Sequence, residues 1–67
     1  MVTDSKDLIR RLHDEGWVEV SINGSHHNFK HPSRPGRVTV PHPRRDIKLG
    51  TVRSIYRQAG WPWNRDA

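Results

Sequence analysis

Hydrophobic positions recur along this chain with two different periods, and the change of period divides it into elements. Leu8, Ile9 and Leu12 recur at helical spacing and predict a helix over residues 5–15 with one narrow apolar stripe. Asp4 or Ser5 can cap its start, and Asp7 sits in the first turn, where the helix dipole favours a carboxylate. Gly16 suits the left-handed position after its end. From Trp17 the period falls to two. Val18, Val20 and Ile22 form one face of a strand over 17–23, while Trp17, Glu19 and Ser21 form the other. Asn23-Gly24 tolerates the positive φ of a type I′ hairpin turn and leads into a second strand, about 25–31, stopped by Pro32. Pro32-Ser33-Arg34-Pro35-Gly36 is a turn-forming run. A third strand over 37–41 points Val38 and Val40 inward, Arg37 and Thr39 outward.

Pro41-His42-Pro43 forces an extended exit, because a residue before proline avoids the α region. A basic linker, 44–48, precedes a second helix over 49–59, whose stripe is Val52, Ile55, Tyr56 and Ala59 and whose end is Gly60. The implied class is α+β, in the order α-β-β-β-α, with a three-stranded antiparallel sheet. Both amphipathic helices need the same apolar sheet face and should cover it together. The open face then carries Glu19, His26, Asn28, Lys30, Arg37 and Thr39. Double-stranded-RNA-binding domains share this layout, as an architectural analogy. Residues 61–67 read as a short C-terminal tail in which Trp61 packs on the helix and Trp63 has no evident partner.

At 67 residues the chain is expected to form one domain. Domains this small bury only about 60% of their unfolded surface, so the core is small and stability marginal. There is no cysteine, which excludes disulfides and Cys-based zinc sites. No apolar run approaches the ~20 residues of a membrane span, and no signal-peptide pattern opens the sequence. A soluble cytoplasmic protein is the default expectation, without a membrane partner.

Charge changes the picture. The net charge is +5 and the pI near 10.8, pointing to an anionic partner. Between Ser25 and Arg57 stand Lys30, Arg34, Arg37, Arg44, Arg45, Lys48, Arg53 and Arg57, opposed only by Asp46. Arginine outnumbers lysine nine to three, and its planar fork suits phosphate. A solvated basic face is the plainer reading of the same run.

Candidate chemistry concentrates in residues 23–31, where two adjacent histidines follow the turn and a third follows at His31. Alternation places His26, Asn28 and Lys30 on one face and His27, Phe29 and His31 on the other. With Phe29 marking the buried side, His26 and Lys30 look outward together. His27 and His31 then serve packing or edge hydrogen bonds rather than catalysis. His13 reads as a surface residue, and His42, rigid between prolines, either shapes the exit or approaches a ligand. A metal site from His27, His31 and His42 is conceivable, but no His-x-x-x-His pair on a helix and no nearby acidic ligand supports it.

Gly24-Ser25-His26-His27, followed by Phe29-Lys30-His31-Pro32, closely resembles the HicA family of toxin–antitoxin mRNA interferases. Val38-Thr39-Val40-Pro41-His42-Pro43 looks like that family's third strand and exit, and Gly50-Thr51-Val52-Arg53-Ser54-Ile55 with Gln58-Ala59-Gly60 like its second helix. With the Gly16-Trp17 helix end, the resemblance runs nearly through Gly60, and the tail departs from it. It implies a double-stranded-RNA-binding-like fold, cleavage of mRNA, and inhibition by a HicB-type antitoxin. It also implies that His26 is the catalytic residue.

Metal-independent RNA cleavage fits that assignment and calls for no small-molecule cofactor. The neighbouring 2′-hydroxyl can act as nucleophile if a group exchanges its proton, and histidine suits the task because its ordinary pKa, ~6.5, lies near cellular pH. Ser25 can position a phosphate, Lys30 can stabilise transition-state charge, and Arg37, Arg44, Arg45 and Lys48 can hold the RNA backbone. A non-catalytic RNA-binding module using the basic face alone is the competing reading.

Overall fold

The computed structural model describes residues 3–63 and shows the order α1 (Ser5–Asp14), β1 (Val18–Asn23), β2 (His26–Lys30), β3 (Val38–Pro41) and α2 (Leu49–Ala59). The strands form an antiparallel meander with β2 in the middle. The fold is α+β, as the periodicities imply.

The core lies on the face marked by Phe29. Phe29, Val38 and Val40 are completely buried, with Leu8 and Leu12 from α1, Val52, Ile55 and Ala59 from α2, and Trp17, Ile47 and Trp61 from the connections. The α1 stripe thus packs against the sheet as its spacing requires. Asp4, not Ser5, caps α1, its side chain accepting from the Lys6 N–H at 2.9 Å. Ser5 turns inward instead. At the other end Gly16 has φ +94°, and the Trp17 N–H returns to the Leu12 carbonyl at 2.9 Å. A side chain at Gly16 would also meet His31 Nε2, since a Cβ there would lie 3.0 Å from it.

Two features of the sheet differ from the alternation. The two-residue loop is Gly24-Ser25, not Asn23-Gly24: Asn23 pairs with His26, Gly24 has φ +61°, and among the described residues none other than glycine has positive φ. That is the pattern of a type II′ turn, which needs glycine only at its first position. The register also slips in β1. Glu19 faces Phe29 and Ser21 faces Asn28, which leaves Val20 as a bulge. A bulge inserts one residue and exchanges the faces beyond it. Glu19 therefore joins the Phe29 side, not the open face, and Ser21 joins Asn28.

The apolar residues of β1 are not core. Val18, Val20 and Ile22 remain 57%, 50% and 53% exposed. Both helices pack chiefly over β3, the strand farthest from β1, so their width does not reach this edge.

Trp61 packs back as expected. Its Nε1–H donates to Glu15 Oε1 at 2.7 Å, and the Arg11 guanidinium lies 4.1 Å from the indole centroid. Trp63 does have a partner, the Tyr56 ring, met edge-on at 5.2 Å. Residues 64–67, the rest of the expected tail, lie outside the described residues. Among the described residues no helix is long and apolar enough to cross a membrane.

Candidate functional site

His26 opens β2 directly after the Gly24-Ser25 loop, so the tight turn fixes its backbone from one side. Pairing with Asn23 and with Pro41 fixes it from both neighbouring strands. It is exposed and lies on the face opposite Phe29. One step along that face Asn28 is 95% buried, its amide accepting from Thr39 Oγ1 at 2.7 Å and donating to Ser21 Oγ at 3.1 Å. This satisfied polar row is the floor beside the imidazole.

A cavity of about 350 Å³ opens in front of His26, lined by His26, Thr39, Pro41, Arg44, Ile47, Lys48 and Thr51. Three elements meet there: the sheet supplies His26 and Thr39, the basic linker Arg44 and Lys48, and the first turn of α2 Thr51. Lys48 is the N-cap residue of α2, whose first turn holds no acidic side chain. The dipole of a helix start adds positive potential to that of the two cations.

The loops are tied down by backbone bonds. The His42 N–H donates to the Ser25 carbonyl at 2.8 Å, joining the exit of β3 to the turn before His26. Ser5, 1% exposed, bonds His42 Nδ1 through its hydroxyl at 2.7 Å and accepts from the Arg44 N–H at 2.9 Å.

The other expected site residues are distributed unevenly. Arg44 and Lys48 reach the cleft. Arg45 does not line it, and belongs instead to a second cavity that shares Arg44 with the cleft. Ser25 sits in the loop, exposed, beside His26. Lys30 shares the face of His26 but lies four residues along β2, roughly 13 Å at strand rise. It does not line the cleft, and Arg37, just before β3, lies near that same far end.

The remaining histidines have structural partners. His27 Nδ1 bonds Glu19 Oε1 at 2.6 Å, and its ring meets the His42 ring edge-on at 5.0 Å. His31 Nε2 donates to the Glu15 carbonyl at 2.9 Å, while its Nδ1 accepts from the Ser33 N–H at 3.0 Å. His13 lies against the Phe29 ring at 5.9 Å. The three-histidine set of His27, His31 and His42 is therefore divided: His31 belongs to the end of α1, away from the other two. Among the described residues no cluster of three or more His, Asp or Glu side chains is arranged to hold a metal.

Residues 5–61 match the family described as HicA toxin of bacterial toxin-antitoxin. The chain belongs to this family. As a HicA toxin it is the toxic member of a toxin–antitoxin system, and membership implies an antitoxin partner. No curated protein matches the chain. The matched segment contains every residue that lines the cleft and ends before Trp63.

In this HicA toxin the places of Ser5, Thr51 and Ile47 around the cleft are not legible in the sequence. No local pattern marks them, because a serine in a first helical turn reads as a cap and an isoleucine in a linker reads as unassigned. Their places depend on how the linker wraps around the start of α1.

Proposed function

We propose that this HicA toxin is a metal-independent endoribonuclease that cleaves mRNA, with His26 as the general acid–base. The observation that carries the reading is the placement of one exposed imidazole at the mouth of a cleft that also holds Arg44 and Lys48. The reaction joins the 2′-oxygen to phosphorus and breaks the bond from phosphorus to the 5′-oxygen. The proton leaving the 2′-hydroxyl must end on the departing 5′-oxygen. An imidazole that accepts the first and donates to the second serves both steps in succession. Arg44 and Lys48 stabilise the charge that grows on the phosphorane oxygens. Asn28, held by Ser21 and Thr39, keeps the strand beneath His26 rigid. A HicB-type antitoxin with an acidic surface would mask the same cleft, with electrostatic steering of its approach.

Incubating the protein with labelled mRNA, without added metal, beside His26→Ala tests the reading. Cleavage by the native protein and none by the folded variant is the expected result. RNA that is bound but never cut would leave the non-catalytic binding module in its place.

A further inference from the structure

Arg44 borders two cavities. One is the cleft of His26 and Lys48. The second, about 360 Å³, is lined by Asp4, Lys6, Pro43, Arg44 and Arg45. Three cations therefore line the second cavity against one carboxylate. That carboxylate is already engaged: Asp4 accepts the Lys6 N–H as the cap of α1.

The juxtaposition is built, not incidental to long side chains. The backbone of Arg44 is bonded at both ends to Ser5. Its N–H donates to Ser5 Oγ at 2.9 Å, and its carbonyl accepts from the Ser5 N–H at 2.8 Å. Ser5 is 1% exposed, so this pair of bonds is shielded from water. Lys6 follows Ser5 directly in the first turn of α1. The contact that fixes Arg44 beside His26 thus also brings Lys6 beside Arg44. None of the five lining side chains is aromatic, so the cavity lacks the aromatic platform on which bases of a single strand ordinarily stack. Three cations without an aromatic neighbour suit a phosphate better than a nucleobase.

Resting on the ribonuclease reading, we propose that this second cavity is a subsite for a flanking phosphate of the same RNA strand. Lys6 and Arg45 hold that phosphate, and Arg44 bridges it to the one being cut. The subsite adds affinity without sequence preference, because it touches only the backbone.

The test uses Lys6→Ala and Lys6→Glu on two substrates: a single-stranded RNA of about 20 nucleotides and a dinucleoside monophosphate, whose one phosphate is the one cut and which has none to place beyond Arg44. Lys6 is exposed, and alanine is the best helix former, so a native melting temperature is the expected control. Lys6→Gln replaces either variant that fails to fold. On the longer RNA, Lys6→Ala should raise KM several-fold for every sequence tried. It should also flatten the slope of log affinity against log salt by about 0.7, one phosphate contact on a single strand. Lys6→Glu should do more, and the effect should vanish on the dinucleoside monophosphate. An unchanged KM and salt slope overturn the proposal. So does an equal loss on both substrates, which would put Lys6 at the scissile phosphate itself. If the native protein cuts neither RNA, the ribonuclease reading fails. Fluorescence anisotropy of the uncut longer RNA then decides the subsite by the same change of slope.

Discussion

His27 Nδ1 and Glu19 Oε1 lie 2.6 Å apart across the β1–β2 ladder, a contact that exists only because Val20 bulges out of register. Two consecutive histidines thereby have different roles. His26 is free to meet a ligand, while its neighbour is bonded to a carboxylate on the other side of the sheet. Glu19→Gln or His27→Ala should therefore lower stability, although neither residue lines the cleft. The pair is partly exposed, its side chains 38% and 16% accessible, so a double-mutant cycle should give a coupling of about 0.5–1 kcal/mol. Urea denaturation of the two single variants and the double variant measures it. Zero coupling would mean that the contact contributes nothing in solution.

His26→Ala should lower the cleavage rate by about 10²–10⁴, the range for a lost acid–base group. Its melting temperature should match the native protein, since His26 is exposed and packs on nothing in the core. An RNA with a 2′-deoxy residue at the cut site should resist the native protein. Undiminished cleavage of that RNA would remove the 2′-hydroxyl from the mechanism.

Phe29→Ala should have the opposite profile. The ring is completely buried between strands and helices, and such truncations cost about 3–5 kcal/mol. A domain this small has little more than that to lose. The variant is expected to be largely unfolded at 37 °C by circular dichroism, whatever becomes of its RNA chemistry. A cooperative melt close to that of the native protein would contradict the core described above.

Glu15 gives the pH dependence of stability a definite sign. Burial pushes its carboxyl up, but hydrogen bonds from Trp61 and Arg11, with the charges of Arg11 and Arg34, outweigh burial and leave it below its ordinary 4.5. A carboxylate with a lowered folded pKa stabilises the protein above its unfolded pKa. That contribution is lost as pH falls through the folded value. The melting temperature should therefore drop as pH goes from about 5 toward 3, and Glu15→Gln should flatten that drop. A Glu15→Gln acid limb as steep as the native one would show that Trp61, Arg11 and Arg34 do not hold this carboxyl below its ordinary value.

Much of this was readable from the residues. Leu8 and Leu12, and Val52, Ile55 and Ala59, announce their helices because packing on one sheet face leaves a 3.6-residue period. Val38 and Val40 show their inward face because β3 is short and regular. The turn was misplaced by one residue, since Asn23-Gly24 and Gly24-Ser25 are both competent and only the register chooses between them. The faces of β1 were not legible. A bulge leaves no mark in an alternating sequence, and whether Val18 or Ile22 is covered depends on how far the helices reach across the sheet. For the site, the sequence brings His26, Arg44 and Lys48 together, but only alternation joins Lys30 to them. Sharing a face says nothing of a separation along the strand. The tie between Ser5 and Arg44 joins residues 39 apart in sequence, and no local pattern encodes it.

Phe29 and His26 point to opposite sides of the same short strand, so on the proposed reading folding and toxicity draw on different atoms. On the proposed reading, a cell that escapes killing through a change at His26 keeps a well-folded protein of full length. Such a disarmed copy retains nearly all of the native surface, so it can still compete for the antitoxin and release active copies from it. The sidedness of β2 would in this way make an inactive allele a disturbance to its host, and not merely a silent one.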